Sequence, residues 1–109
     1  MNEVTIAKGT EVDILEYELQ GSWSFELSMP VRAEVLTVRM RDHVPVLWVL
    51  ADLAEQRFYG FETRRFLLLD TNRPVLAPGD LFYLGSFQTD AGMRHLFEDI
   101  TEDTSVERA

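Results

Sequence analysis

From Ser22 to Met29 the chain alternates strictly between polar and apolar side chains. Trp23, Phe25, Leu27 and Met29 fall on one side, with Ser22, Ser24, Glu26 and Ser28 on the other. A helix would spread those aromatics around its circumference, whereas a half-buried strand collects them on one face. Pro30 ends the run, because it has no N–H to give to a ladder. The preceding segment follows the same rule: Leu15, Tyr17 and Leu19 oppose Glu16, Glu18 and Gln20. Gln20-Gly21 is expected to turn these two runs into a hairpin.

A third strand is expected over Glu34–Arg41, with Leu36, Val38 and Met40 on one face. The run Val46–Ala51 is apolar on both faces and rich in branched residues, which predicts a central strand covered on both sides. Trp48 is expected in the core, since large aromatics dominate core burial. Asp52–Gln56 reads as a helical turn or a loop. Arg57–Glu62 and Arg64–Asp70 read as strands, or as one long strand broken near Gly60 or Thr63. The clearest loop is Thr71-Asn72-Arg73-Pro74 followed by Ala77-Pro78-Gly79-Asp80. Leu81–Phe87 is a further strand, with Gly85 marking a bulge or close packing. Asp90-Ala91-Gly92 turns the chain into Met93–Phe97, where Met93, His95 and Phe97 share a face. The expected fold is all-β and mostly antiparallel. Roughly six to eight strands would form a sandwich or a partly open barrel, with at most one short helix. Residues 1–13 are expected to be a partly flexible lead-in, 14–100 a single β domain, and 101–109 an acidic flexible tail.

At 109 residues, 46% hydrophobic and 27% charged, the chain has the composition of one globular domain. The absence of cysteine excludes disulfides, thiolate metal sites and thiol nucleophiles. The longest apolar stretch, Val44 to Ala51, is far short of the roughly 20 residues of a membrane helix. The N-terminus has no basic region leading into an apolar run, so a soluble cytoplasmic protein without a signal peptide is expected.

The formal charge is −9, and it sits mainly at the two ends. Glu3, Glu11, Asp13, Glu16 and Glu18 face only Lys8, while Glu98, Asp99, Glu102, Asp103 and Glu107 face only Arg108. Such a balance repels nucleic acid and anionic membranes, so neither is an expected partner. The acids either solubilise the surface or engage a basic host protein in place of DNA phosphates. On the second reading Glu16, Glu18, Glu98 and Asp99 are the partner-binding residues.

No nucleophile elbow, phosphate loop, dinucleotide fingerprint or paired-histidine motif is present. No catalytic residue, metal or cofactor is therefore expected. Arg64, Arg65 and Arg73 are candidate ligand residues, because clustered guanidinium groups near an aromatic such as Phe66 suit a phosphate or nucleotide. Alternatively, those arginines balance acids across the strands. His95 is either hydrogen-bonded inside or beside the core, or a fourth ligand residue.

The segments Glu34–Val38, Pro45-Val46-Leu47-Trp48-Val49-Leu50-Ala51-Asp52, Arg64-Arg65-Phe66, Tyr83–Phe87 and His95-Leu96-Phe97-Glu98 together resemble a family of small uncharacterised domains. These occur mainly in bacteriophages and prophages. The resemblance runs from about Leu15 to Glu98. It departs at Asp70-Thr71-Asn72-Arg73-Pro74, where the family tends to carry a glycine-threonine-glycine-histidine-proline loop and this chain keeps only the threonine and proline. The family implies an origin and no activity: a phage accessory protein acting in a bacterial cytoplasm. The expected function is a non-enzymatic module that binds a host protein. The alternatives are a small-ligand or nucleotide binder and a minor virion component. Exposed sheet edges also permit a homodimer.

Overall fold

The computed structural model describes residues 3–19 and 22–102. The strands are β1 (Val12–Glu18), β2 (Ser24–Pro30), β3 (Glu34–Arg41), β4 (Val44–Asp52), β5 (Phe61–Asp70), β6 (Leu81–Thr89) and β7 (Gly92–Asp99). One helix, α1 (Leu53–Tyr59), separates β4 from β5. Two antiparallel sheets result, of order β1-β4-β3 and β2-β5-β7-β6. The architecture is a sandwich-like, mostly antiparallel β fold, and the described strands close no barrel.

The hairpin expected between the first two strands is not made. β1 pairs with β4, setting Leu15 opposite Val49, and β2 pairs with β5, setting Phe25 opposite Phe66. Alternation fixes which side chains face inward, and leaves open which strand lies alongside. The proposed turn residues Gln20 and Gly21 lie outside the described residues, as do Asp103, Glu107 and Arg108 of the expected tail. β1 begins at Val12, slightly earlier than the expected domain boundary.

The core lies between the sheets. β2 contributes Phe25, Leu27 and Met29, β4 Leu47 and Val49, β5 Phe66 and Leu68, β3 Val35 and Val38, and β7 Leu96. Phe25 and Phe66 stack with centroids 5.7 Å apart. Each large side chain buried here contributes about 1.5–3 kcal/mol. Trp23 departs from the expected face: it precedes β2 and stays exposed.

β4 is the central strand of its sheet, and Val46 and Leu50 on its outward face are buried as well. Trp48 is the correction there, being half-buried on that outward face rather than in the core. Its indole N–H donates to Glu16 Oε1 at 2.9 Å, and the Arg41 guanidinium lies 5.8 Å from its ring. An indole needs a partner for its N–H, so it settles where one edge meets charged side chains.

Arg57–Tyr59 is helical, not extended. Asp52 caps α1, accepting from the N–H groups of Ala54 and Glu55 at 3.0 and 3.1 Å. Gly60, at φ 78°, ends it with its N–H on Gln56 O. Asp before the run and Gly after it are the ordinary start and stop of a helix. In β3 a bulge between Val35 and Thr37 turns Leu36 outward and puts Val35 in the core. A second bulge between Tyr83 and Gly85 interrupts the β6–β7 ladder. At Gly85 a Cβ would stand 3.2 Å from Val38 Cγ1, so that position serves both as bulge and as close approach of the sheets.

β5 and β6 are both antiparallel to β7 and hence parallel to one another. Residues 71–80 must therefore run back along the length of the sheet. At one end Thr71 N–H bonds Met93 O, and at the other Asp80 N–H bonds Thr101 Oγ1 at 2.7 Å.

Candidate functional site

The register places Leu96, Glu98 and Arg94 of β7 toward the other sheet and Met93, His95, Phe97 and Asp99 away from it. His95 therefore stands beside the core, on the outward face, held at both ring nitrogens. Its Nε2 lies 2.7 Å from Thr71 Oγ1 and its Nδ1 2.7 Å from Ser86 Oγ, which in turn lies 2.6 Å from the Tyr83 hydroxyl. Thr71 donates its hydroxyl hydrogen to Met93 O at 3.3 Å. That leaves Thr71 Oγ1 to accept from Nε2–H, so Nδ1 accepts from Ser86 and Ser86 accepts from Tyr83.

A serine donating to an imidazole is the first element of an activated nucleophile. The second element is a carboxylate on the far nitrogen, to orient the ring and stabilise its charged form. Here that nitrogen holds the neutral hydroxyl of Thr71. These four side chains link the end of β5 to β7 and β6.

The three candidate arginines are not brought together. Arg64 faces inward near the start of β5. Its Nε and Nη2 each donate to the Glu98 carboxylate at 2.7 Å, and Nη1 donates to Ala33 O at 2.6 Å. The side chains of this pair are only 15% and 13% exposed. The Glu98 carboxylate holds the guanidinium pKa above its ordinary value. Arg65 faces outward, between Glu26 at 3.2 Å and Asp99 at 3.9 Å. Arg73 lies beyond the far end of β5, against Asp70 at 3.1 Å. Arg64 and Arg65 are thus matched to carboxylates on neighbouring strands, and Arg73 to the carboxylate at the end of the strand that its loop leaves.

The four candidate acids are divided between the sheets. Glu16 and Glu18, on β1, reach Arg41 at 3.0 and 4.0 Å. Hydrogen bonds from Trp48 and then Arg41 hold the Glu16 carboxyl below its ordinary range. Glu98 is taken by Arg64, and Asp99 accepts from Thr101 N–H at 2.9 Å. Thr101, with Arg65 adding attraction, lowers the Asp99 carboxyl. Among the described residues no cluster of His, Asp and Glu has the geometry to hold a metal ion.

A group of exposed rings near α1 was missed by sequence reasoning. Phe58, at 81% exposed, meets Tyr59 edge-on with centroids 4.8 Å apart, and Phe61 follows across Gly60, also exposed. The Arg32 guanidinium sits 4.4 Å over the Tyr59 ring and reaches Glu55 at 3.2 Å. Arg32 itself has φ 66°, a region that costs a side-chain-bearing residue about 1–2 kcal/mol. Reading Arg57–Glu62 as a strand would have alternated these rings between two faces. The helix stop at Gly60 instead gathers them at one end of the sandwich.

Neither the curated proteins nor the solved structures include a match to this chain. A family model described as a domain of unknown function (DUF7352) does match, over residues 11–106. That span takes in all seven strands and the helix, and the chain belongs to the DUF7352 family.

Proposed function

We propose that this protein is a phage-encoded accessory module that binds a host protein in the bacterial cytoplasm and performs no chemistry of its own. The observation that carries this reading is the aromatic end: Phe58, Tyr59 and Phe61 stand in water beside an arginine held in a strained backbone conformation. Large exposed aromatics with arginine are the composition of interface hot spots rather than of ordinary surface. The pairing of Arg64, Arg65 and Arg73 with acids adds support, since guanidinium groups engaged within the fold are not arranged around a substrate.

The partner surface is an apolar recess with a basic rim. The rings fill the recess, and a chain of formal charge −9 favours positive surroundings. The acids Glu16, Glu18, Glu98 and Asp99 contribute to that long-range attraction and not to the contact.

The test is capture from a bacterial host lysate by the tagged chain and by its Phe58→Ala/Phe61→Ala variant. The rings pack on nothing in the core, so the variant keeps its fold. A partner held by the parent and lost by the variant is expected, since each hot-spot truncation costs about 2 kcal/mol or more. Rising salt should slow association. A partner retained equally by the variant removes the aromatic end from the interface, and no partner at all removes the reading.

A further inference from the structure

We propose that two copies of this chain pair through the open edges of β1, antiparallel about a two-fold axis at Ile14, joining their three-stranded sheets into one continuous sheet. β1 is an outer strand, bonded to β4 alone. Beyond its two ends Leu53 N–H bonds Glu11 O and Leu19 N–H bonds Pro45 O. The register does not shift between those bonds, so the odd-numbered residues of β1 direct their N–H and C=O groups at β4. Those of Val12, Ile14, Glu16 and Glu18 point out of the sheet, and among the described residues no hydrogen bond meets them. The lead-in leaves this edge open: Val4, Ile6 and Thr10 share a recess with Leu50, Arg32 and Glu34, toward β3.

The other three edges carry the features by which sheets keep neighbours away. β3 and β6 are both bulged, and they meet at the closed side of the sandwich where Gly85 lies against Val38. In β2 the bonds of Trp23 O and Val31 N–H to β5 fix the even-numbered residues as edge-facing. Pro30 is one of these, and it has no N–H to offer a neighbour. β1 has no bulge, proline, glycine, lysine or arginine.

The acids of β1 decide what can lie alongside it. Glu16 is held by Arg41 and by the Trp48 indole, and Glu18 reaches Arg41 at 4.0 Å. In an antiparallel pair centred on Ile14, every acid of β1 meets an uncharged side chain of the second copy. Asp13 faces Leu15, Glu16 faces Val12 and Glu18 faces Thr10. A register two residues away in one direction sets Asp13 against its own copy. In the other direction it sets Ile14 against Glu16 and Val12 against Glu18. The centred register places Ile14, 49% exposed, against Ile14 of the second copy and so extends the apolar row that it forms with Leu50. A two-fold contact requires a surface that complements itself, and β1 meets that requirement.

The experiment is sedimentation of the full chain from about 10 to 500 μM, with amide hydrogen exchange measured at both extremes. A contact made by single strands is small, so a reversible dimer is expected with a dissociation constant on the order of tens of micromolar. The amides of Val12, Ile14 and Glu16 should gain protection only at the higher concentration. Ile14→Pro removes the two central bonds of the dimer and none within a protomer. It should weaken association by about tenfold or more with an unchanged circular dichroism spectrum. Ser28→Pro makes the same change at the β2 edge and should leave association as it is. Two chains of formal charge −9 repel at long range, so added salt should tighten the dimer, opposite to its effect on host capture. A monomer throughout the range, a dimer retained by Ile14→Pro, or a dimer whose β1 amides exchange as in the monomer would each overturn the proposal. Should Ile14→Pro unfold, amide exchange in the parent still decides. The pairing uses none of Phe58, Tyr59 and Phe61, so its failure leaves the host-binding reading standing, and Phe58→Ala/Phe61→Ala should dimerise like the parent.

Discussion

Removing half of the Arg64–Glu98 pair should destabilise the protein far more than removing the whole. Arg64→Met takes away two 2.7 Å bonds to Glu98 and one 2.6 Å bond to Ala33 O. It leaves a carboxylate that is 13% exposed without its partner, and Glu98→Leu strands the guanidinium in the same way. Breaking a buried pair costs about 3–5 kcal/mol. Both groups border an open cleft and keep some contact with water, which brings the figure to about 3 kcal/mol here. The double variant Arg64→Met/Glu98→Leu removes both charges, and should come within about 1 kcal/mol of the parent. Urea unfolding reads this directly. With a slope of roughly 1.5 kcal/mol per molar, each single variant should lose about 2 M in midpoint, and the double variant less than about 1 M. Losses below about 1 kcal/mol in both singles would show that the pair behaves as a surface contact. A double variant as weak as the sum of the singles would refute the coupling between the two charges.

Three further expectations test other parts of the fold. Asp52→Ala removes the acceptor of two N–H groups at the start of α1 and should cost about 1 kcal/mol in chemical denaturation, most of it recovered by Asp52→Ser. Gly85→Ala sets a methyl group 3.2 Å from Val38 Cγ1, so it should cost about 1 kcal/mol, relieved when Val38→Ala is added; equal costs in both backgrounds would contradict the close approach. Asp70 has its folded pKa depressed by Arg73 and Arg94, so its contribution is present above its unfolded pKa and disappears as pH falls through the folded value. Melting temperatures of the parent should therefore drop below about pH 4, and those of Asp70→Asn should drop less steeply.

Much of the layering was legible in the amino-acid order. The alternation of Phe25, Leu27 and Met29, the doubly apolar β4 and the glycine at the β6 bulge all derive from side-chain period and from the space that glycine leaves. Strand pairing was not legible, because nothing in β1 or β2 encodes that they belong to different sheets. The bulge at Leu36 was equally hidden, since a single extra residue exchanges the facing of Val35 and Leu36, while Val38 and Met40 keep theirs, without altering composition. Trp48 was misplaced because apolarity counts an indole as core, while its N–H draws it toward Glu16. The matching of arginines to acids rests on cross-strand neighbours that only the register supplies. The exposed rings at Phe58, Tyr59 and Phe61 required recognising Asp52 and Gly60 as helix boundaries, a signal that was present and was outweighed by the aromatic content.

The separation of β1 from β2 also governs the order in which the molecule can assemble on the ribosome. Of the five ladders, only β3–β4 and β6–β7 join strands adjacent in the chain. β1 can dock once β4 has emerged, whereas β2, synthesised second, has no ladder to join until β5 emerges after the helix. During that interval Phe25, Leu27 and Met29 are presented to solvent on an unpaired strand, the arrangement most prone to capture by chaperones or by another nascent chain. The two β-turn hairpins are quick to close and the long-range ladders are slow, so folding is expected on the millisecond-to-second scale of other non-local β topologies.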